Sequence, residues 1–182
     1  MDELVAVLDA DVLVPILTCD LLLTAFDHDL YRPVVTPKIL DEVERNLLRV
    51  HPDLDPDRLR HRVEIMRRAL VLHTRADSDE AVAGINVKDH HIVATALDAE
   101  AHVVVTNDRR LRREITGLGL SLTASTADTF AVELAERDPE TIEDVIAVLV
   151  SKRVQRPVTR EELLTRLSRP LPSFVLRMQD SS

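Results

Sequence analysis

The sequence alternates short, apolar, β-branched runs with longer segments in which apolar residues recur every three or four positions. The runs Leu4–Leu8 and Val103–Val105 are typical of strands buried on both faces, as in a parallel sheet. Val34 and Val35 form another short run, and an edge strand is predicted near residues 120–122. Because helical segments separate these runs, the alternation predicts an α/β fold with a mainly parallel central sheet.

The C-terminal part of the chain has a different pattern. Beyond Phe130 the periodicity is helical only, and it includes a capping sequence that begins at Thr159. Asp128 is expected to be a helix N-cap. We therefore predict an α/β domain over residues 1–135 and a helical C-terminal extension over residues 136–182.

Composition narrows the class of protein. The single cysteine, Cys19, cannot form an internal disulfide, which favours a reducing, cytoplasmic location. No run approaches the roughly 18 apolar residues that a membrane span needs, so no membrane association is expected. The early apolar run is too short for a signal peptide and ends at Asp9. Aromatic residues make up only 2% of the chain, which argues against a surface that stacks nucleobases on aromatic rings.

The net charge of −9 does not indicate nucleic-acid binding, which usually accompanies a basic surface. Two interpretations stay open: the acidic excess lies on solvated faces and in a metal site, or the protein binds no nucleic acid. Local basic clusters support the first. They contain Arg109, Arg110, Arg112 and Arg113 in one group and Arg58, Arg60, Arg62, Arg67 and Arg68 in another.

Four acidic residues are candidates for one shared site. Asp9 and Asp108 each follow a predicted strand directly, and ligands of such sheets bind beyond the carboxyl ends of the strands. Asp89 opens a predicted helix, and Glu42 lies about one turn into the helix after the second strand. Carboxylates that meet at one edge suit Mg²⁺ or Mn²⁺, and these ions support phosphodiester hydrolysis.

Each acid also has an ordinary structural alternative. Asp89 is a natural helix N-cap, Glu42 suits a solvated helix face, and an aspartate after a strand often belongs to a turn. The four acids together indicate a shared site more strongly than any one of them does alone. Asp9, between an apolar strand and an apolar helix, is a costly isolated charge unless it is paired or bound to a cation.

Neighbouring residues extend the candidate site. Asp11 either joins it as a fifth carboxylate or caps the helix that follows. Thr106 either hydrogen-bonds an acidic neighbour from behind the site or bonds the backbone at the strand end. His90 and His91 are adjacent on a helix and point to different faces. Zinc ligation by both is therefore not expected, although one of them can face the site.

Four segments resemble, in order, the acidic motifs of the PIN-domain ribonucleases. They are VLDADVLVP (7–15), TPKILDEV (36–43), KDHHIVATA (88–96) and VVTND (104–108). The resemblance covers about residues 4–130 and implies a three-layer α/β/α domain. It also implies a role for each acid: Asp9, Glu42, Asp89 and Asp108 are the catalytic set, with Asp9, Asp89 and Asp108 as metal ligands and Glu42 and Asp11 as further candidates.

Within that family the chain is most similar to the VapC-type toxins of bacterial toxin–antitoxin pairs. Residues 30–33 and 42–47 resemble a longer subgroup with a helical C-terminal region. The resemblance implies a Mg²⁺- or Mn²⁺-dependent endoribonuclease that acts on structured RNA such as tRNA or rRNA. It also implies an inhibitory antitoxin protein and a homodimer.

The chain departs from the family pattern at two places. Asp11 stands where the family usually has asparagine, and Lys88 stands in a stretch that is often more acidic in family members. Lys88, Arg109 and Arg110 are candidate phosphate contacts. The alternative for the two arginines is a solvated helix face.

Two other functions are compatible with parts of the sequence. Asp9 and Asp11 after a strand resemble the opening motif of haloacid-dehalogenase-type phosphatases, in which Asp9 would be the nucleophile. That chemistry needs a later lysine, and Lys152 is the only one after Lys88. The other alternative is a non-catalytic PIN-like domain that binds proteins.

Overall fold

The computed structural model describes residues 3–70, 81–152 and 157–180. In these ranges four strands form one sheet in the order β2-β1-β3-β4, and every neighbouring pair is parallel. The predicted α/β fold with a parallel central sheet and following helices is confirmed. The strands are β1 (Val5–Leu8), β2 (Arg32–Val34), β3 (Val103–Val105) and β4 (Thr123–Ser125).

The helices of the described ranges include none that is both long and apolar enough to cross a membrane. A 3-10 turn, Val87–Asp89, comes directly before α5. The helices are α1 (Ala10–Leu13), α2 (Ile16–Asp27), α3 (Pro37–Val50), α4 (Pro56–Ala69), α5 (His90–Asp98), α6 (Arg109–Gly117), α7 (Ala127–Arg137), α8 (Pro139–Ser151), α9 (Arg160–Leu167) and α10 (Pro172–Asp180).

The chain divides into two compact units. Unit 1 contains Met1–Val14 and Arg32–Ser125, and unit 2 contains Pro15–Tyr31 and Thr126–Ser182. The predicted boundary between an α/β domain and a helical extension, at residues 135 and 136, stays a prediction.

In unit 1 the two central strands form the core of the sheet. Every residue of β1 and β3 is buried, and α5 packs against both strands. Thr36 caps α3 by accepting a hydrogen bond from the Ile39 N–H (3.2 Å), with Pro37 in the first turn. Because β1 and β3 are parallel neighbours, their carboxyl ends lie side by side.

The edge strand β4 begins at Thr123 and not near residue 120, so its predicted position is wrong. Val103 pairs with Thr123 and Val104 with Ala124. The apolar content of residues 120–122 suggested a strand, but Leu120 is half exposed and follows Gly119, which has a positive φ of 64°. That turn delays pairing, and the strand consists of small and polar residues, as suits a sheet edge.

Unit 2 contains a helix, α10, that we did not predict. Thr126 caps α7 by accepting from the Thr129 N–H (3.0 Å), so Asp128 is not the N-cap of the helix in which it lies. Asp128 instead accepts hydrogen bonds from the N–H groups of Ser173 (3.1 Å) and Phe174 (3.0 Å). These groups belong to the first turn of α10, where N–H groups lack helical partners. Asp128 therefore caps a helix 44 residues later in the chain.

Replacing Asp128 by alanine should lower the free energy of unfolding by about 1–2 kcal/mol, because two N–H groups lose their acceptor. The measurement is urea unfolding followed by circular dichroism. Asp144→Ala, which changes an exposed acid on α8, is the control and should have an effect below about 0.5 kcal/mol. Equal effects of the two substitutions would contradict the capping role.

Candidate active site

The register of β1 and β3 brings Asp9 and Thr106 together. Leu8 pairs with Val105, and the Asp9 N–H donates to the Val105 carbonyl (3.0 Å). The Thr106 hydroxyl donates to Asp9 Oδ2 (2.6 Å) and accepts from the Asp108 N–H (3.1 Å). Both roles that the sequence left open for Thr106 are present, since this buried hydroxyl contacts an acid and the backbone.

Asp11 lies in the first turn of α1 but does not cap it. The N-cap position belongs to Asp9, and the Asp11 carboxylate accepts from the Asn107 N–H, at 3.1 Å to Oδ1 and 2.9 Å to Oδ2. Asp11 Oδ2 also lies 3.5 Å from the Thr106 hydroxyl. Capping of α1, one of the two roles that the sequence left open for Asp11, is therefore wrong, because the carboxylate accepts from the backbone N–H of Asn107 at the strand end. Asp9 and Asp11 share one hydroxyl group.

Asp108 is the N-cap of α6. Its Oδ1 accepts from the N–H groups of Arg110 (2.7 Å) and Leu111 (3.2 Å). Burial acts to raise the pKa of Asp108, but these two hydrogen bonds, with the charges of Arg110 and Lys88, hold the pKa below its ordinary value. Asp108 is thus ionised at neutral pH and is both a structural cap and a candidate ligand.

Glu42 lies on α3 beside a buried histidine. Its Oε1 is 3.5 Å from His91 Nε2, and His91 is only 2% exposed. Neither ring nitrogen of His91 hydrogen-bonds to a described residue. Burial acts to raise the pKa of Glu42, but His91 and nearby basic side chains lower it below its ordinary value. His90 points elsewhere, with Nε2 2.9 Å from the Ile85 carbonyl, as expected for adjacent helical residues.

Asp89 is paired with an arginine. Its Oδ2 accepts from Arg110 Nη2 (2.5 Å), and its side chain makes no capping hydrogen bond to α5. The Nε of Arg110 lies 3.5 Å from Glu114 Oε1, and Glu114 Oε2 accepts from the Asn86 N–H (3.0 Å). Arg110 therefore links Asp89 to Asp108, the residue to which its own backbone N–H donates.

The carboxylates at the strand ends have unbalanced negative charge. Burial, then the charge of Asp11 and to a lesser extent that of Glu42, raises the pKa of Asp9 to about 7. Burial likewise raises the pKa of Asp11, and the charge of Asp108 contributes. Within the described ranges, neither Asp9 nor Asp11 forms an ion pair with a basic side chain. A charge surplus of this kind, made of hard oxygen donors, fits a divalent cation.

The side chains are nevertheless not arranged as a closed metal site. Among residues 3–70, 81–152 and 157–180, no three His, Cys, Asp or Glu side chains are grouped closely enough to hold an ion as they stand. The Asp89 carboxylate, for its part, is paired with the guanidinium of Arg110. The donors thus fit a cation by chemistry and by charge, while their present grouping does not enclose one.

The candidate phosphate contacts differ in exposure. Lys88 and Arg109 are exposed, whereas Arg110 is partly buried in its ion pair with Asp89. Arg112 donates from Nη1 to the Thr106 carbonyl (2.8 Å), so it supports the strand end. Contact of Lys88, Arg109 or Arg110 with a substrate stays a prediction.

A family model for the PIN domain matches residues 5–110, more than half of the 182 residues. The chain belongs to the PIN domain family. PIN domains are a nuclease-type family, and its members typically bind a divalent metal. The matched range contains all four predicted acids together with Asp11, Thr106 and Arg110. A search of curated proteins and a search of solved structures each found no match.

Two contributors to this PIN-domain site were not identified from the sequence, namely the Glu114 side chain and the Asn86 N–H that donates to it. Glu114 lies four residues after Arg110 on α6, and this spacing is a readable sign of a side-chain pair on one helix face. The bond from the Asn86 N–H to Glu114 had no such sign, because it spans 28 residues. The position of His91 beside Glu42 also depends on how two distant helices pack.

Replacing Thr106 by valine should lower the free energy of unfolding by about 2–3 kcal/mol. Valine keeps the shape, but Asp9 loses a donor and the partly buried Asp108 N–H loses an acceptor. Thr106→Ser is the matched control and should cost only about 1 kcal/mol, since it removes a methyl group and keeps the hydroxyl. Chemical unfolding in the presence of EDTA measures both. A larger loss for serine than for valine would show that packing, not hydrogen bonding, is what Thr106 supplies.

Proposed function

We propose that this PIN domain is a metal-dependent endoribonuclease with Asp9, Glu42, Asp89 and Asp108 as its catalytic acids. The observation that carries the proposal is the pair of carboxylates, Asp9 and Asp11, that share one buried hydroxyl and have no basic partner in the described part of the chain. Burying unbalanced charge is costly unless a cation balances it. A divalent cation at strand ends of a nuclease-type fold accounts for that cost.

The residues that would hold the ion are Asp9, Asp89 and Asp108, with Glu42 and Asp11 as further candidates. Bound Mg²⁺ or Mn²⁺ supplies charge neutralisation at a phosphate and lowers the pKa of an attacking water. The chain itself supplies orientation. The Thr106 hydroxyl holds the Asp9 carboxylate and the Asp108 backbone at once, so one buried group fixes both residues.

Glu42 is the acid best suited to accept a hydrogen bond from water. Its pKa lies below the ordinary value, so it is ionised at neutral pH. His91 beside it is almost completely buried, and its Nε2 lies 3.5 Å from Glu42 Oε1. We therefore assign Glu42 to orienting the attacking water and His91 to positioning Glu42.

An RNA backbone would be bound by local positive charge, since the chain as a whole is acidic. Lys88 and Arg109 are the exposed candidates next to Asp89 and Asp108, respectively. Arginine and lysine contacts to phosphate hold the strand in place without reading its sequence. Selection of a structured target such as tRNA or rRNA would then depend on shape.

Asp9→Asn should reduce RNA cleavage by on the order of 100-fold or more, because it removes a charged donor from the proposed ion site. The substrate is total cellular RNA, and Mg²⁺ or Mn²⁺ is present at a concentration on the order of 5 mM, which suits a weakly held ion. Cleavage is followed by gel electrophoresis, and EDTA should abolish it.

The control is Asp144→Asn, which changes the same chemical group at an exposed position of unit 2. It should cleave like the wild type. Equal cleavage by wild type and Asp9→Asn would reject the assignment and leave the non-catalytic, protein-binding alternative. A trapped aspartyl-phosphate analogue on Asp9 would instead favour the phosphatase. Against the phosphatase, Lys152 donates to Thr24 Oγ1 (3.3 Å) within unit 2.

We further propose that the enzyme is a VapC-type toxin that acts in the cytoplasm, forms a homodimer and is inhibited by a cognate antitoxin protein. The support is the ordered resemblance of its four acidic motifs to that group. Such a toxin arrests growth by cutting an RNA that translation requires.

Induced expression in a bacterium should therefore stop growth within about one generation, whereas Asp9→Asn at equal protein level should not. The measurement is optical density with immunoblotting for the protein level, and sequencing of RNA ends in the arrested cells. Growth arrest by both proteins would indicate non-specific toxicity. Metal-dependent cleavage in vitro without arrest would retain the nuclease and reject the toxin.

A further inference from the structure

Arg110 contacts two of the acids that we propose as metal ligands, Asp89 and Asp108. Its Nη2 donates to Asp89 Oδ2 (2.5 Å), and its backbone N–H donates to Asp108 Oδ1 (2.7 Å). Two of the three proposed metal ligands therefore contact one residue. The pair is shielded, because the Asp89 side chain is only 15% exposed and that of Arg110 is 38% exposed.

We propose that Arg110 is an internal counter-ion that holds Asp89 until a divalent cation displaces it, and that Arg110 thereby sets the metal affinity of the site. This inference rests on the proposed function. The guanidinium and the cation compete for one carboxylate, since both are positive and both need the Asp89 oxygen. If the cation binds Asp89, the guanidinium must find another hydrogen-bond partner or be hydrated by water.

The guanidinium is incompletely satisfied in its present position. Its Nε is buried and has no hydrogen-bond partner in the described part of the chain, although Glu114 Oε1 lies 3.5 Å away. A buried donor without a partner is unfavourable. This unsatisfied Nε lowers the cost of moving the side chain away from Asp89.

A second acceptor for Arg110 exists on its own helix. Glu114 lies one turn further along α6, where pairs four residues apart meet. Glu114 also accepts from the Asn86 N–H, which tethers the turn that carries Asp89 to α6. Arg110 can therefore turn from Asp89 towards Glu114 without loss of that tether. The released guanidinium would then lie beside the ion site, where a substrate phosphate would bind.

The test is Mn²⁺ binding measured by titration calorimetry on the full chain without RNA. Arg110→Gln should bind Mn²⁺ at least about threefold more tightly than the wild type. This is the size of effect expected when a partly exposed ion pair is removed. Arg113→Gln is the matched control, because it removes the same charge from an exposed residue of the same helix. Its affinity should stay within about twofold of the wild type. Arg110→Lys keeps the charge and loses the planar fork, so its affinity should lie between those of the wild type and Arg110→Gln.

The outcomes separate the two proposals. Equal affinities for Arg110→Gln and Arg113→Gln, or weaker binding by Arg110→Gln, would overturn the counter-ion role and leave the nuclease intact. If Arg110→Gln does not fold, as judged by circular dichroism in EDTA, an affinity of Arg110→Lys equal to that of the wild type overturns the role. Absence of Mn²⁺ binding by all folded proteins would overturn the proposed metal-dependent function, and the counter-ion role with it.

Discussion

The pairing of β1 with β3 is the constraint on which the candidate site depends. Leu8 lies opposite Val105, so the next residue of each strand leaves the sheet at the same edge, and Thr106 meets Asp9 there. A slip of one residue would turn each side chain to the opposite face of the sheet. Because every residue of both strands is buried, such a slip would also disrupt the packing on both faces of the sheet. Core packing therefore fixes the geometry of the acids.

The parts of the fold that the sequence predicts are those with local causes. β1 and β3 are short β-branched runs, and α3 and α9 begin with capping sequences that the structure contains. The edge strand and α10 are different. β4 consists of small and polar residues that gain strand structure only by pairing with β3. The cap of α10 comes from Asp128, 44 residues earlier, so no sequence signal next to the helix could reveal it.

The candidate site divides in the same way. The positions of Asp9, Thr106 and Asp108 follow from strand ends, which the sequence reveals. The hydrogen-bond partners of Asp11 and Asp89, in contrast, cannot be predicted from strand ends. A first-turn aspartate is locally favourable at the positive end of a helix, which made a cap role for Asp11 reasonable. The carboxylate instead accepts a hydrogen bond from the Asn107 N–H, almost a hundred residues away in sequence, because the sheet brings the two groups within 3 Å of each other.

The distribution of charge bears on how an acidic chain could handle an acidic polymer. A cluster of carboxylates repels phosphate, so an RNA strand gains nothing from the edge of this sheet until a cation is present. If Arg110 leaves Asp89 when the cation binds, the cation neutralises the carboxylates and the guanidinium, now beside Glu114, becomes available to a substrate phosphate. Metal binding and phosphate binding would then favour each other by linkage. The overall charge of −9 would matter less than the few charges whose pairing changes.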